Sequence, residues 1–160
     1  MRLNLGCGTR KLEGFTNCDL TDADVICDVF QRLPFGNETA DEIHAYHVFE
    51  HCYRYDCEAI LKDWVRVLKY GGKLVLELPC LDSIIQIFNW HIEREKPIPV
   101  NLTMWGLFGD PSWKRPEMTH HWCYSQAELG DLMTKAGLVV TFHKAQTHQP
   151  IRDMRGEGIK

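Results

Sequence analysis

The amino-acid sequence predicts a single α/β domain, a mostly parallel sheet with helices on both faces and with the helices reduced toward the N-terminus. Three observations predict it. Short apolar strands alternate with amphipathic helical stretches, the pattern of a parallel sheet covered on its faces. The early strands end in glycine or aspartate, at Gly6-Cys7-Gly8, Asp19 and Asp28, and ligands of such sheets sit beyond the carboxyl ends of the strands. The chain of 160 residues has the length of one domain and is long enough to bury an ordinary core.

Arg2 to Leu5 alternates polar and apolar residues and stops at Gly6-Cys7-Gly8, a strand running into a glycine turn. Thr16 to Leu20 reads as a second strand ending in Asp19, and Val25-Ile26-Cys27 as a third ending at Asp28. Leu33-Pro34-Phe35-Gly36 makes a turn, and Glu42 to Val48 a fourth strand with Ile43 and Ala45 on one face. Asp56 N-caps a helix carrying Ile60, Leu61, Trp64, Val65 and Leu68, and Gly71-Gly72 is expected to end it. Lys73 to Leu78 is nearly continuous in apolar residues, as a buried parallel strand should be. Asp82 starts a helix with Ile84, Ile85, Phe88 and Ile92, ended by Pro97 and Pro99. Residues 97–124 show no clear period and are dense in aromatics and prolines. Ser125-Gln126-Ala127-Glu128 is a capping box, opening a helix with Leu129, Leu132, Met133 and Ala136 that Gly137 closes. Leu138 to Phe142 is a further strand, and residues 150–160 add an edge strand.

Hydrophobic residues make up 44% of the chain and charged residues 25%, a globular rather than a disordered composition. The net charge of -4, with both signs scattered, disfavours a nucleic-acid partner held by phosphate contacts, which wants a basic face. No stretch reaches the ~18 apolar residues of a membrane span. Met1 runs directly into a core strand, so no signal peptide is expected. Seven cysteines, an odd number without a Cys-x-x-Cys, fit a reducing cytoplasm.

The Gly6-Cys7-Gly8 turn lets a ligand approach the backbone closely, and its amides are suited to a carboxylate or phosphate. A dinucleotide fingerprint wants a third glycine where this chain has Lys11, and an acid later than Asp19, so NAD is disfavoured. An ionised carboxylate closing the second strand suits the two hydroxyls of a ribose, and a second acid closing the third suits an exocyclic amine such as that of adenine.

Leu3-Asn4-Leu5-Gly6-Cys7-Gly8 resembles the first motif of class I S-adenosylmethionine-dependent methyltransferases, and Asn17-Cys18-Asp19-Leu20 their acidic second motif. Asp28, Leu33-Pro34-Phe35 and Ala40-Asp41-Glu42-Ile43 are similar to that family's pattern of an aspartate, a Leu-Pro-Phe and an acidic strand entry. His47-Val48-Phe49-Glu50-His51, then Trp64 to Leu74, resembles the corresponding run of the methyltransferase type 11 family, and Tyr124-Ser125 through Gly137-Leu138 its late helix. The resemblance implies a Rossmann-like class I methyltransferase fold and S-adenosyl-L-methionine as cofactor. It places Gly6, Cys7 and Gly8 against the methionine part, Asp19 on the ribose hydroxyls with Leu20 beside it, Asp28 and Val29 at the adenine edge, and His47 toward the sulfonium.

Two departures from the family stand out. Only seven residues separate Gly8 from Thr16, and only Thr21 to Asp24 lie between the second and third strands, where the family has helices. The cofactor is thereby less covered, which points to weak affinity or to a covering partner, a second copy of the chain among them.

Methyl transfer from a sulfonium is an in-line displacement whose main demand is alignment, with a general base optional. His47 is a candidate to position or deprotonate an acceptor, with a plain cofactor-wall role as the alternative, and Glu50 and His51 read as structural. His120 and His121 are the other candidates, in an acceptor lid formed by residues 97–124 with Trp113 and Trp122. His120-His121-x-Cys123 lacks zinc spacing and a matching second cluster, so no metal is expected. The reading is therefore a methyltransferase acting on a small-molecule or saccharide-like acceptor. A non-catalytic cofactor- or partner-binding protein on a degenerate fold, and an aminopropyl-type transfer from the same cofactor class, stand as alternatives.

Overall fold

The computed structural model describes residues 1–160. Its seven strands are β1 (Arg2–Leu5), β2 (Thr16–Asp19), β3 (Val25–Ile26), β4 (Ala40–Tyr46), β5 (Leu68–Pro79), β6 (Val139–Lys144) and β7 (Asp153–Ile159). They form one sheet in the order β3-β2-β1-β4-β5-β7-β6. The first five pair in parallel, and β7 is antiparallel to both of its neighbours. The helices are α1 (Cys57–Val67), α2 (Leu81–Glu93), α3 (Met104–Phe108) and α4 (Gln126–Lys135).

No helix stands between β1 and β2 or between β2 and β3. A buried polar network does the tying there instead. Asn4 Nδ2 donates to the Asn17 side chain and to the Arg10 carbonyl, both at 2.9 Å. The Asn17 oxygen also accepts the Leu12 amide at 2.8 Å, and its nitrogen donates to Asp24 at 2.9 Å. Two strand asparagines thus pin both connecting loops, so the buried backbone is satisfied without helical turns.

The core lies between the sheet and the layer formed by α1 and α4. Trp64, Phe49, Tyr124, Leu61, Leu74 and Leu129 are all but fully enclosed there. Trp64 buries its ring and satisfies its Nε1 on the Val29 carbonyl at 2.9 Å. The capping box forms as expected, with Ser125 Oγ accepting the Glu128 amide at 3.1 Å.

Three expectations are corrected. The first helix ends at Val67 rather than at Gly71-Gly72, because Leu68 turns extended and pairs with Ala40, so the two glycines lie inside β5. The last strand is not an edge. β7 is inserted between β5 and β6, and β6 takes the edge. On α2 only Ile84 of the expected apolar face is buried, while Ile85 and Ile92 stay 47% and 61% exposed.

Candidate functional site

β1 connects to β2 on one side of the sheet and adjoins β4 on the other, so the carboxyl end of β1 is the switch point where a crevice opens. Gly6 sits there with φ +62°, and a Cβ on it would come within 2.4 Å of Val48 Cγ2, so only glycine fits. Gly8, at φ +49°, faces open space. The amides of Cys7 and Gly8 are both spent internally, on the Cys18 carbonyl at 3.1 Å and on Asp19 Oδ2 at 2.7 Å. The turn therefore offers room for a ligand, and those two amides are not free to receive a carboxylate.

Asp19 closes β2 and joins the glycine turn directly. Its second oxygen accepts the Leu20 amide at 2.7 Å. An ionised carboxylate has about four lone-pair sites, so capacity remains for two hydroxyl donors. Leu20 and Ile26, on the same side, are 56% and 60% exposed. Asp28 is exposed and accepts the Phe30 amide at 2.9 Å, whereas Val29 is buried and held by Trp64. A cleft of about 590 Å³ begins at Asp28 and runs to His51, lined also by Phe30, Tyr53 and Asp63.

His47 follows β4 in a left-handed conformation, φ +54°, and donates its amide to the Glu77 carbonyl at 2.7 Å. Its ring stands between two buried carboxylates, with Nδ1 3.1 Å from Glu50 and Nε2 3.2 Å from Asp153. Burial opposes the charge on the imidazole, but those two carboxylates outweigh it and hold the pKa up at about 9. Against the cost of their own burial, the hydrogen bonds and charge of His47 hold Glu50 and Asp153 down at about 2. Arg152 completes the group, donating to Asp153 at 2.5 Å, and the His148 ring lies tilted against that of His47, their centroids 4.7 Å apart.

Residues 100–124 pack over this same edge. The amides of His121 and Trp122 both donate to the Glu50 carbonyl, and Leu81 to that of Tyr124. His120 Nε2 lies 4.0 Å from Glu50 and its ring 4.8 Å from that of His51. His121 is turned away and stacks on Tyr53 at 4.1 Å. The Cys123 thiol points to the Pro79 carbonyl, so His120, His121 and Cys123 do not converge on one point.

The structure thus brings together Gly6, Cys7, Gly8 and Asp19, and separately His47, Glu50, His51 and His120. Arg152, Asp153 and His148 were missed by sequence reasoning. They precede or open a strand without apolar alternation, and the single available hint was the charge density of His148 to Asp153 in an otherwise strand-like tail.

Residues 9–76 match the family model described as a methyltransferase domain. Over that stretch the chain is similar to the methyltransferase domain family, and its fold is that of S-adenosylmethionine-dependent methyltransferases. Solved structures share the fold at low identity. A SAM-dependent methyltransferase from Methanosarcina mazei is 18% identical with a TM-score of 0.68, the match covering 99% of this chain and 91% of that one. One from Archaeoglobus fulgidus is 16% identical, TM-score 0.64, covering 99% and 85%. The 1,6-didemethyltoxoflavin-N1-methyltransferase of Burkholderia thailandensis, solved with its substrate and S-adenosylhomocysteine, is 13% identical, TM-score 0.65, covering 99% and 70%. No curated protein matches the chain. The methyltransferase match gives S-adenosylmethionine as the cofactor, and the open face of Gly8 and the spare acceptor capacity of Asp19 fit it. No helix is long and apolar enough to cross a membrane.

Proposed function

We propose that this methyltransferase transfers the methyl group of S-adenosylmethionine to a small-molecule or saccharide-like acceptor by in-line displacement. An acceptor lone pair attacks the methyl carbon, the carbon–sulfur bond breaks, and its electrons neutralise the sulfonium. The acceptor's proton leaves to solvent or to a base. The observation that carries the reading is the direct link of Asp19 to the Gly8 amide at 2.7 Å. It joins the methionine end and the ribose end of a cofactor site at the switch point of the sheet.

In this reading Gly6, Cys7 and Gly8 pack against the methionine moiety, Asp19 and Leu20 hold the ribose side, and Asp28 and Val29 border the adenine. His47 serves as a positioning residue. Its Nδ1 is hydrogen-bonded to Glu50 at 3.1 Å, and its Nε2, without a hydrogen-bond partner, lies 3.2 Å from the Asp153 carboxylate, so both charges hold the ring in place. Residues 97–124 supply the acceptor side, where His120 reaches the carboxylate that His47 also faces. A methyl acceptor of small size suits a cleft of about 590 Å³ beside His51.

Mass spectrometry of the purified protein for a co-purifying adenosyl ligand, followed by calorimetric titration with S-adenosylhomocysteine and with NAD, tests the cofactor. Binding of NAD alone overturns it. Release of S-adenosylhomocysteine in the presence of an acceptor panel tests the transfer. The exposure of Leu20 and Ile26, left by the missing helices, favours a second reading in which a partner covers the adenosine and this chain binds cofactor without turnover. Cofactor binding with no turnover of any acceptor, alone or as an oligomer, would select it.

A further inference from the structure

We propose that Glu50, His51 and His120 form a site for a divalent transition metal of the zinc type, beside the cofactor edge. One ligand atom from each of the three lies within 4.8 Å of the others. His51 Nδ1 is 3.1 Å from the Thr119 carbonyl, and His120 Nδ1 is 2.9 Å from the Gly106 carbonyl. A carbonyl only accepts, so each Nδ1 carries a proton and donates it, and Nε2 of each ring is the atom left to ligate a metal. A backbone carbonyl holding the second ring nitrogen is the arrangement that fixes the tautomer of metal-ligating histidines.

The carboxylate supplies an independent observation. Glu50 is fully buried, and its Oε2 has no hydrogen-bond partner, although Oε1 is 3.1 Å from His47. A buried carboxylate oxygen without a partner is costly. The lone pair of His120 Nε2 stands 4.0 Å from Oε1 of the same group. That separation is too long for a hydrogen bond, so no proton bridges the two atoms. A cation would: two ligand bonds of about 2.0–2.2 Å at a tetrahedral angle span about 3.4 Å, so binding draws the pair together by roughly half an ångström.

The neighbouring trio of His47, His148 and Asp153 also lies within 4.8 Å. It is a different case, because Asp153 already binds the Arg152 guanidinium at 2.5 Å and the Gln149 amide at 2.9 Å, and a metal there would face that guanidinium. Two imidazoles and one carboxylate leave a fourth tetrahedral position open for water or a substrate oxygen. This inference stands apart from methyl transfer. It also departs from the expectation of no metal, which considered only ligands adjacent in sequence.

The test is a titration of chelator-treated protein with Co²⁺ followed by visible absorption, then competition with Zn²⁺ by calorimetry. We expect one Co²⁺ per chain with a saturable visible band that zinc abolishes. His51→Ala and His120→Ala each weaken binding by at least about tenfold to a hundredfold, and His121→Ala, from the same segment but outside the trio, leaves it intact. Thermal unfolding of each variant shows whether it is folded. If His120→Ala is not, His51→Ala decides. Absence of a saturable band in the wild type, or an undiminished band in folded His51→Ala, overturns the proposal.

Discussion

Asp19 shows how one side chain ties local structure to ligand chemistry. It holds the Gly8 and Leu20 amides, each at 2.7 Å, and still has lone pairs to offer two hydroxyls. Asp19→Ala should therefore weaken S-adenosylhomocysteine binding by charge-assisted hydrogen bonds worth about 1.5–3 kcal/mol, roughly tenfold to a hundredfold in Kd by calorimetry. Melting should shift much less, because Asp19 is only partly buried. Wild-type affinity in the variant would reduce Asp19 to a turn residue. The two glycines of the turn separate cleanly. Gly8→Ala meets open space and carries only the left-handed penalty of about 1–2 kcal/mol. Gly6→Ala adds collision with Val48, about 1–3 kcal/mol more. Equal losses in denaturant unfolding would contradict that contact. That these residues meet was legible because Gly6, Cys7, Gly8 and Asp19 fall at the ends of consecutive strands, where order along the chain is also order in space.

At the scale of elements, the pairing of β5 with β7 rests on charge as much as on apolar contact. Glu77 is 1% exposed and accepts from Arg155 at 2.8 Å, from the Gln146 and Thr147 amides at 3.1 and 2.9 Å, and from the Thr147 hydroxyl at 2.5 Å. Burial alone would raise its pKa, but Thr147, Arg155 and the amides outweigh it and lower the value below the usual 4.5. A carboxylate depressed in the folded state contributes stability that is present above its unfolded pKa and is lost as pH falls through the folded one. The wild type should thus lose stability from about pH 5 downward, and Glu77→Gln should show a shallower slope. At neutral pH the variant should be less stable by about 3 kcal/mol, the low end for a broken buried pair, since Arg155 keeps Glu157 at 2.7 Å. Parallel pH profiles in chemical denaturation would remove Glu77 from this role. The same chemistry explains why β7 reads as an edge: Asp153, Arg155 and Glu157 interrupt any apolar alternation, and the burial of Asp153 and Arg155 is made acceptable by ion pairs that no local pattern reveals. α1, whose buried face is apolar, was visible throughout except at its end, where pairing of Leu68 with Ala40 overrides the stop expected at the glycines.

At the scale of the whole molecule, the proposed cofactor edge comes from the first third of the chain, and the charged cluster draws on residues 47–51, 120 and 148–153. No sequence spacing links those three segments. They meet because β4, β5 and β7 are neighbours in the sheet and residues 100–124 fold back across their ends. If that fold-back covers the methyl side, binding of S-adenosylhomocysteine should be felt there as well as at the strand ends. A ligand held at a hundred times its Kd stabilises the bound state by ~2.7 kcal/mol, so amides that exchange by opening the liganded region slow by up to about a hundredfold. Hydrogen exchange should then slow at residues 6–8, 19–30 and 47–51, and also at 104–121, whose His120 and His121 amides donate to the Phe108 and Glu50 carbonyls. The exposed part of α2 from Ile85 to Ile92 should exchange as before, since it faces away from its own core. Slowing confined to the first fifty residues would mean that the segment from 104 to 121 does not respond to the cofactor. The acceptor would then have to be held by other surfaces, and a partner chain over the exposed Leu20 and Ile26 would be the next place to look.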